Sequence, residues 1–253
     1  MSKIPEHLQR AISFDEGYFS VPLQESQEEF VFLPEVLSQQ KIVATFDNMP
    51  AGGFPKLYWV RAGLVAPLQS VASELAKHGL YLHFTYAYRT FEQQKAIYEY
   101  YVTKTIHDYP HQPKELILKM AGVYAACNPA TAAHMGGAAV DVTLRYEDGS
   151  EVDLGAKYLE DSPLSETTSP LISASAKANR QLLLKVMAQF GFANYPFEFW
   201  HFSLGDRIAA YIQGQPFAKY GPVVFEPSAG ISHFFSNEEQ QQTFVVDHLF
   251  TTT

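Results

Sequence analysis

Two short segments hold residues whose types and spacing suit metal-assisted chemistry. In AAHMGGAAVDV, His134 precedes Asp141 by seven residues. An odd separation along an ideal strand places two side chains on opposite faces. Gly136 and Gly137 intervene, and glycine permits a backbone excursion that brings imidazole and carboxylate together. The pair reads either as two metal ligands or as an aspartate that caps locally after a tight glycine turn. In PFEFWHF, Glu198 and His201 stand among Phe197, Phe199, Trp200 and Phe202. A buried carboxylate or imidazole needs a partner or a shifted pKa. That leaves a buried Glu–His pair, or His201 as a metal ligand with Glu198 as the base acting on water at the metal.

Together His134, Asp141 and His201 offer two nitrogens and one oxygen. With a fourth position left for water, this is the usual composition of a catalytic zinc site. Zinc lowers the pKa of water towards about 7, and a neighbouring carboxylate can take the proton as a carbonyl is attacked. Arg89 either steadies the oxygen on which charge develops or makes an ion pair at the core edge. The contexts of His7, His78, His107, His111, His233 and His248 are polar or terminal and read as surface. His83 alternates within a strand, and Cys127 reads as a small buried residue.

These residues must be positioned by a chain of 253 residues, 47% hydrophobic and 18% charged, ample for a packed core and unlike a disordered chain. Acidic residues exceed basic ones, 27 against 18, which disfavours nucleic acid and anionic membranes as partners. One cysteine excludes an intrachain disulfide and any multi-cysteine metal cluster. The first 19 residues lack a basic segment followed by an apolar stretch, so the expectation is a cytoplasmic protein. No apolar run approaches the roughly 18 residues of a membrane span.

The pattern predicts strands over 41–48 and 56–61, separated by a Pro/Gly turn, and a helix after Leu64 that stops near Gly79. LYLHFTYAY reads as a strand. Thr90 with Gln93 forms a capping box that starts a helix and leaves Arg89 at the strand-to-helix junction. KELILKMAGVYAA reads as a helix and AAVDVTLRY as a strand, turned by EDGS into EVDLG. A long loop over 155–175 precedes the helix ASAKANRQLLLKVMAQF; FEFWHFSL then reads as a strand and GDRIAAYIQG as a helix. Hairpin signals outnumber regular βαβ units, so the expectation is an α+β domain with an antiparallel or mixed sheet. Residues 1–40 read as an extension lying over the domain. The tail from Val223 reads as a surface extension, packed over the core or mediating self-association.

The run from His134 to Asp141, H-x-x-G-x-A-x-D, joined to E-x-W-H-F from Glu198 to Phe202, resembles the D-alanyl-D-alanine dipeptidase family of zinc peptidases. The family includes vancomycin-resistance dipeptidases and is related to D,D-carboxypeptidases. TFDN, YAYRTFEQQ around Arg89, VDVTL, VDLG and the NR–LL–M–FGF helix follow in family order, extending the resemblance over about residues 40–222. It implies a single zinc peptidase domain over 1–253, α+β with a central antiparallel sheet flanked by helices, of the Hedgehog/DD-peptidase type. It also implies one zinc on His134, Asp141 and His201, Glu198 as general base and Arg89 as transition-state electrophile. The implied substrate is D-Ala-D-Ala or a related small peptide from the cell wall (peptidoglycan). The alternatives are a D,D- or L,D-carboxypeptidase on longer cell-wall peptides and a non-catalytic zinc-binding module. Two positions depart from the family pattern: Ala132 replaces a substrate-holding serine, and Leu159 an aspartate that faces the substrate ammonium. Glu160 and Asp161 are the neighbouring carboxylates that a small shift would bring to that place; the sequence leaves open whether either takes it.

Overall fold

The computed structural model describes residues 4–250. In chain order the elements begin with α1 (Glu6–Phe19), β1 (Phe30–Phe32), α2 (Leu33–Gln39), β2 (Ala44–Phe46) and β3 (Trp59–Arg61). They continue with α3 (Val65–Ala76), β4 (Leu80–Tyr86), α4 (Phe91–Asp108), α5 (Lys114–Tyr124) and β5 (Ala139–Tyr146). The remainder is α6 (Ala174–Gln189), β6 (Ala193–Asn194), β7 (His201–Ser203), α7 (Arg207–Gln213), β8 (Val223–Glu226), β9 (Gly230–Phe234) and α8 (Asn237–Gln241). The main sheet has the order β2-β4-β5-β7-β6. All its pairings are antiparallel except β2 with β4. The α+β class holds, with one parallel edge on the expected antiparallel sheet.

Alternation along the central strands decides where the core lies and where chemistry is possible. Val140, Val142 and Leu144 of β5 pack with Leu82 and Phe84 of β4 and Phe202 of β7. Over this face lie Leu68, Val71 and Leu75 of α3 with Leu183 and Met187 of α6, in one apolar cluster. Asp141 lies between Val140 and Val142 and therefore points to the opposite face. That second face opens on a cavity walled in part by α4 and α5, with α1 packed on α5 through Leu8, Ala11, Met120 and Val123. A register shift between Phe84 and Tyr86 breaks the alternation of β4 and sets Tyr86 opposite Asp141, the re-aiming that a bulge produces.

Thr90 and Gln93 form the reciprocal capping box at the start of α4, so Arg89 stands at the junction as expected. Four strand expectations contract, two of them from 41–48 to Ala44–Phe46 and from 56–61 to Trp59–Arg61. EDGS turns the chain, but its return is only an isolated bridge between Arg145 and Glu151. Of FEFWHFSL only His201–Ser203 is strand. Before it, Glu198 N donates to Tyr195 O and His201 N to Glu198 O, while Asn194 Nδ2 donates to the carbonyls of both Glu198 and His201. On a strand the odd spacing would set Glu198 and His201 on opposite faces; the turn frees them from that rule.

Residues 4–40 contain α1, β1 and α2. The tail packs back on the domain: Phe244 and Val246 are buried with Tyr98 and Val102 of α4. Arg61 is fully buried. Its Nε donates to Gly136 O at 2.8 Å, Nη1 to Glu28 O at 2.7 Å and Nη2 to Gly221 O at 3.2 Å. Gly137 has φ +64° and a Cβ there would lie 2.3 Å from the Phe30 ring, so both backbone and space require glycine.

Candidate metal centre and its cavity

Asp141 on β5 and His201 on β7 are paired in register, and directly opposed residues share a face. His201 Nδ1 lies 3.0 Å from Asp141 Oδ1. His134 comes from outside the sheet, on the 3₁₀ turn Ala133–Gly136, which overcomes the odd spacing that an unbroken strand would impose. Its Nε2 lies 3.2 Å from the same Asp141 oxygen. His134 Nδ1 is 2.5 Å from Ala87 O. A carbonyl only accepts, so Nδ1 carries the proton and Nε2 presents its lone pair.

The three side chains are buried, and one ligand atom from each falls within 4.8 Å of the others. In a tetrahedral zinc site with bonds of about 2.0–2.1 Å, neighbouring ligand atoms are separated by about 3.3 Å, close to the two separations found here. His201 Nε2 is buried without a hydrogen-bond partner, so this imidazole's known contact is the one inside the cluster. Donor chemistry and spacing both fit a zinc ion.

The electrostatics of His134 and Asp141 agree with that fit. Burial pushes the His134 imidazolium down to about 4, with Arg89 adding to the effect, so the ring is neutral as a ligand must be. Burial alone would raise Asp141, but His134 and His201 hold it well below the ordinary carboxylate range. Burial likewise opposes charge on His201, yet the Asp141 carboxylate outweighs it and raises that imidazole. Metal binding would have to release this proton.

Glu198 Oε2 lies 4.0 Å from His201 Nδ1. Burial raises its carboxyl to about 7, within the range suited to proton transfer near neutrality. Arg89 Nη2 is 3.5 Å from Asp141 Oδ2 and Nη1 is 3.3 Å from Gln94 Oε1. Its guanidinium lies over the Tyr86 ring at 4.4 Å, and its Nε is buried without a partner. The five residues singled out in the sequence, His134, Asp141, Glu198, His201 and Arg89, all line one cavity of about 440 Å³.

Tyr158 was not singled out in the sequence as a site residue. Its hydroxyl donates to Asp141 Oδ2 at 2.8 Å, an outer partner that fixes the carboxylate. It stands in the loop 155–175 with no local motif to mark it. Ala132 and Leu159, the two departures from the family pattern, line the same cavity. Neither Glu160 nor Asp161 does. Asp161 pairs with Lys104 at 2.7 Å, and Glu160 accepts from Lys157 N and the Ser162 hydroxyl. Neither carboxylate takes the place of the one missing at Leu159. Of the remaining histidines, none joins the metal cluster among the described residues. His83 bonds the Thr45 hydroxyl at 2.8 Å. Burial raises the Cys127 thiol, so it is not an activated nucleophile.

A buried two-histidine, one-carboxylate cluster with a raised glutamate beside it has the composition of a hydrolytic metal centre. The D-ala-D-ala dipeptidase model of peptidase family M15 matches residues 59–220. A D-alanyl-D-alanine dipeptidase of Enterococcus faecium is 31% identical over 193 residues, 70% of this chain and 92% of that protein. Those of Escherichia coli K12 and Synechocystis are 39% and 32% identical over 31% and 42% of this chain. These two matches span 40% and 49% of the relatives' own length, less than half in each case. Among solved structures, the vancomycin-resistance D,D-pentapeptidase VanY in complex with Zn(II) is 17% identical, with a TM-score of 0.41. That alignment covers 78% of this chain and 95% of VanY. The chain belongs to the D-ala-D-ala dipeptidase family. Its buried His134, Asp141 and His201 form a group that could hold a metal ion.

Proposed function

We propose that the chain hydrolyses the peptide bond of D-Ala-D-Ala or a related small cell-wall peptide, with His134, Asp141 and His201 holding the zinc. The observation that carries this reading is the convergence of these three side chains with Glu198 and Arg89 in one cavity. Zinc, when bound, supplies Lewis acidity and makes water a nucleophile near neutral pH.

The chain's own residues supply the rest. Glu198 accepts the proton of the attacking water and returns it to the leaving amine, a role served by a carboxyl near 7. The Arg89 guanidinium, with one N–H unsatisfied, is available to stabilise negative charge on the carbonyl oxygen in the transition state. His134 is held in its ligand tautomer by Ala87 O, and Asp141 is oriented by Tyr158. Tyr86, Tyr158 and Trp200 line the cavity with the ligands, and such walls strengthen electrostatic contacts by excluding water.

The test is release of D-alanine from D-Ala-D-Ala by zinc-loaded protein, with Glu198→Gln as control. Release by the wild type and not by the variant is expected. Absence of release from zinc-loaded wild type would exclude this dipeptide as substrate.

A further inference from the structure

The cavity wall includes a carboxylate that the mechanism above does not use. Asp15 lies on α1, outside the segment matched by the family model, yet its side chain lines the cavity beside Tyr18, Tyr195 and Glu198. Tyr195 Oη donates to Asp15 Oδ1 at 2.9 Å. The Tyr195 ring in turn meets His201, with ring centroids 6.1 Å apart. One tyrosine therefore separates Asp15 from the metal cluster.

The charges around the cavity are unequally matched. Among the described residues, Arg89 is the only lysine or arginine in the lining, and it faces Asp141. Asp141 belongs to the metal cluster, and Glu198 stands at its edge. Asp15 has a phenol as its hydrogen-bond donor and no cation in an ion pair among the described residues. Burial pushes its carboxyl up to about 8, the behaviour of a carboxylate in a wall that lacks its own counter-charge. A cation brought by a ligand would supply that charge and a charge-assisted hydrogen bond.

We propose that Asp15 receives a positively charged amine of the substrate, so that α1 makes the cavity selective for peptides carrying a free ammonium group. This rests on the peptidase reading given above. It assigns to the N-terminal helix the role that Glu160 and Asp161, occupied elsewhere, do not fill. The amine is either the α-amine of a dipeptide or a side-chain amine of a longer peptide; both present the same ammonium chemistry.

Two pairs of peptides separate these sources. The first is D-Ala-D-Ala with its N-acetyl form. The second is Nα-acetyl-Lys-D-Ala-D-Ala with its Nα,Nε-diacetyl form. Calorimetric binding is measured to zinc-loaded Glu198→Gln protein, with and without Asp15→Asn. Asparagine keeps an acceptor for Tyr195 Oη, so the wall is retained. The expected result is at least about tenfold tighter binding of the free-amine member in one pair. Asp15→Asn should abolish that preference and leave the acetylated member unchanged, while Asp15→Glu restores part of it. Equal weakening of both members by Asp15→Asn, or no preference in either pair, would overturn the proposal. Hydrolysis by zinc-loaded wild type is read separately. Hydrolysis without an Asp15-dependent preference removes the role of Asp15 and keeps the peptidase reading. An Asp15-dependent preference without hydrolysis does the reverse.

Discussion

Asp141 and His201 are cross-strand partners, in register on β5 and β7, with carboxylate oxygen and Nδ1 3.0 Å apart. Two central strands thus fix two candidate ligands before any loop is placed. The cost of moving either strand is the cost of disturbing the apolar layer behind them, where Val140, Val142 and Phe202 are buried. The third ligand, His134, is held by a turn instead.

Asp141→Asn should abolish stable zinc retention. Asp141 is the residue both imidazoles contact, and an amide offers no negative charge to the metal. Zinc affinity is expected to fall by more than about 100-fold, beyond the usual loss for an outer partner. Metal content after dialysis against a weak chelator measures it; retained stoichiometric zinc would remove Asp141 from the ligand set.

Glu198→Gln should keep zinc and lose hydrolysis. Glu198 is not one of the three residues whose donor atoms converge, so the metal should remain. A loss of about 10²–10⁴-fold in kcat is expected for a general base. Equal kcat in wild type and variant would place the base elsewhere.

Tyr158→Phe should separate positioning from stability. Removing one hydrogen bond to Asp141 Oδ2 is expected to cost about 10–100-fold in zinc affinity or activity. The change in unfolding free energy should be only about 1 kcal/mol. Zinc titration alongside urea unfolding distinguishes this from a general structural defect, which would move the unfolding curve instead.

Arg180→Met should destabilise the loop that carries Tyr158. Arg180 is buried and donates to Leu154 O, Leu164 O and Glu166 O at 2.6–2.8 Å. Leaving these carbonyls without their donor should cost about 3–5 kcal/mol in denaturant unfolding. A loss under 1 kcal/mol would show that water replaces the guanidinium.

Asp15 predicts a direction for stability against pH. Its carboxyl titrates near 8 in the folded protein and near 3.8 when unfolded. Between those values the folded chain holds a proton that the unfolded chain has released, so stability falls as pH rises through this window. Tyr18, Tyr195 and Glu198 face the same region. Glu198 titrates near 7 as well, so the informative quantity is the difference between wild type and Asp15→Asn. Urea unfolding at pH 5 and pH 8 should show the variant losing less stability on going to pH 8. Parallel losses would mean that Asp15 is ionised in the folded state.

Much of the candidate metal centre was legible because its residues are concentrated in two short segments. His134 to Asp141 and Glu198 to His201 carry four of the five residues, and the capping box located Arg89 at the head of α4. The secondary structure around Glu198 was not legible, since FEFWHFSL has strand composition throughout while Asn194 folds its first half into a turn. Tertiary hydrogen bonding overrode β-propensity there. The parallel pairing of β2 was equally hidden, because alternation reveals a face and not a neighbour. Asp15 and Tyr158 reach the site across 126 and 17 residues from Asp141, through packing of α1 and a loop held by Arg180. No local pattern encodes such distances.

The buried Arg61 side chain ties together carbonyls at positions 28, 136 and 221, and position 136 ends the turn that presents His134. The matched family segment begins at 59 and ends at 220, so a protein trimmed to those bounds would leave this guanidinium without two of its acceptors. The bracing of the turn that presents His134 therefore draws on residues outside the matched segment. A growing polypeptide would also have to emerge past residue 221 before the histidine turn could be braced, making the candidate centre among the last parts of the molecule to mature.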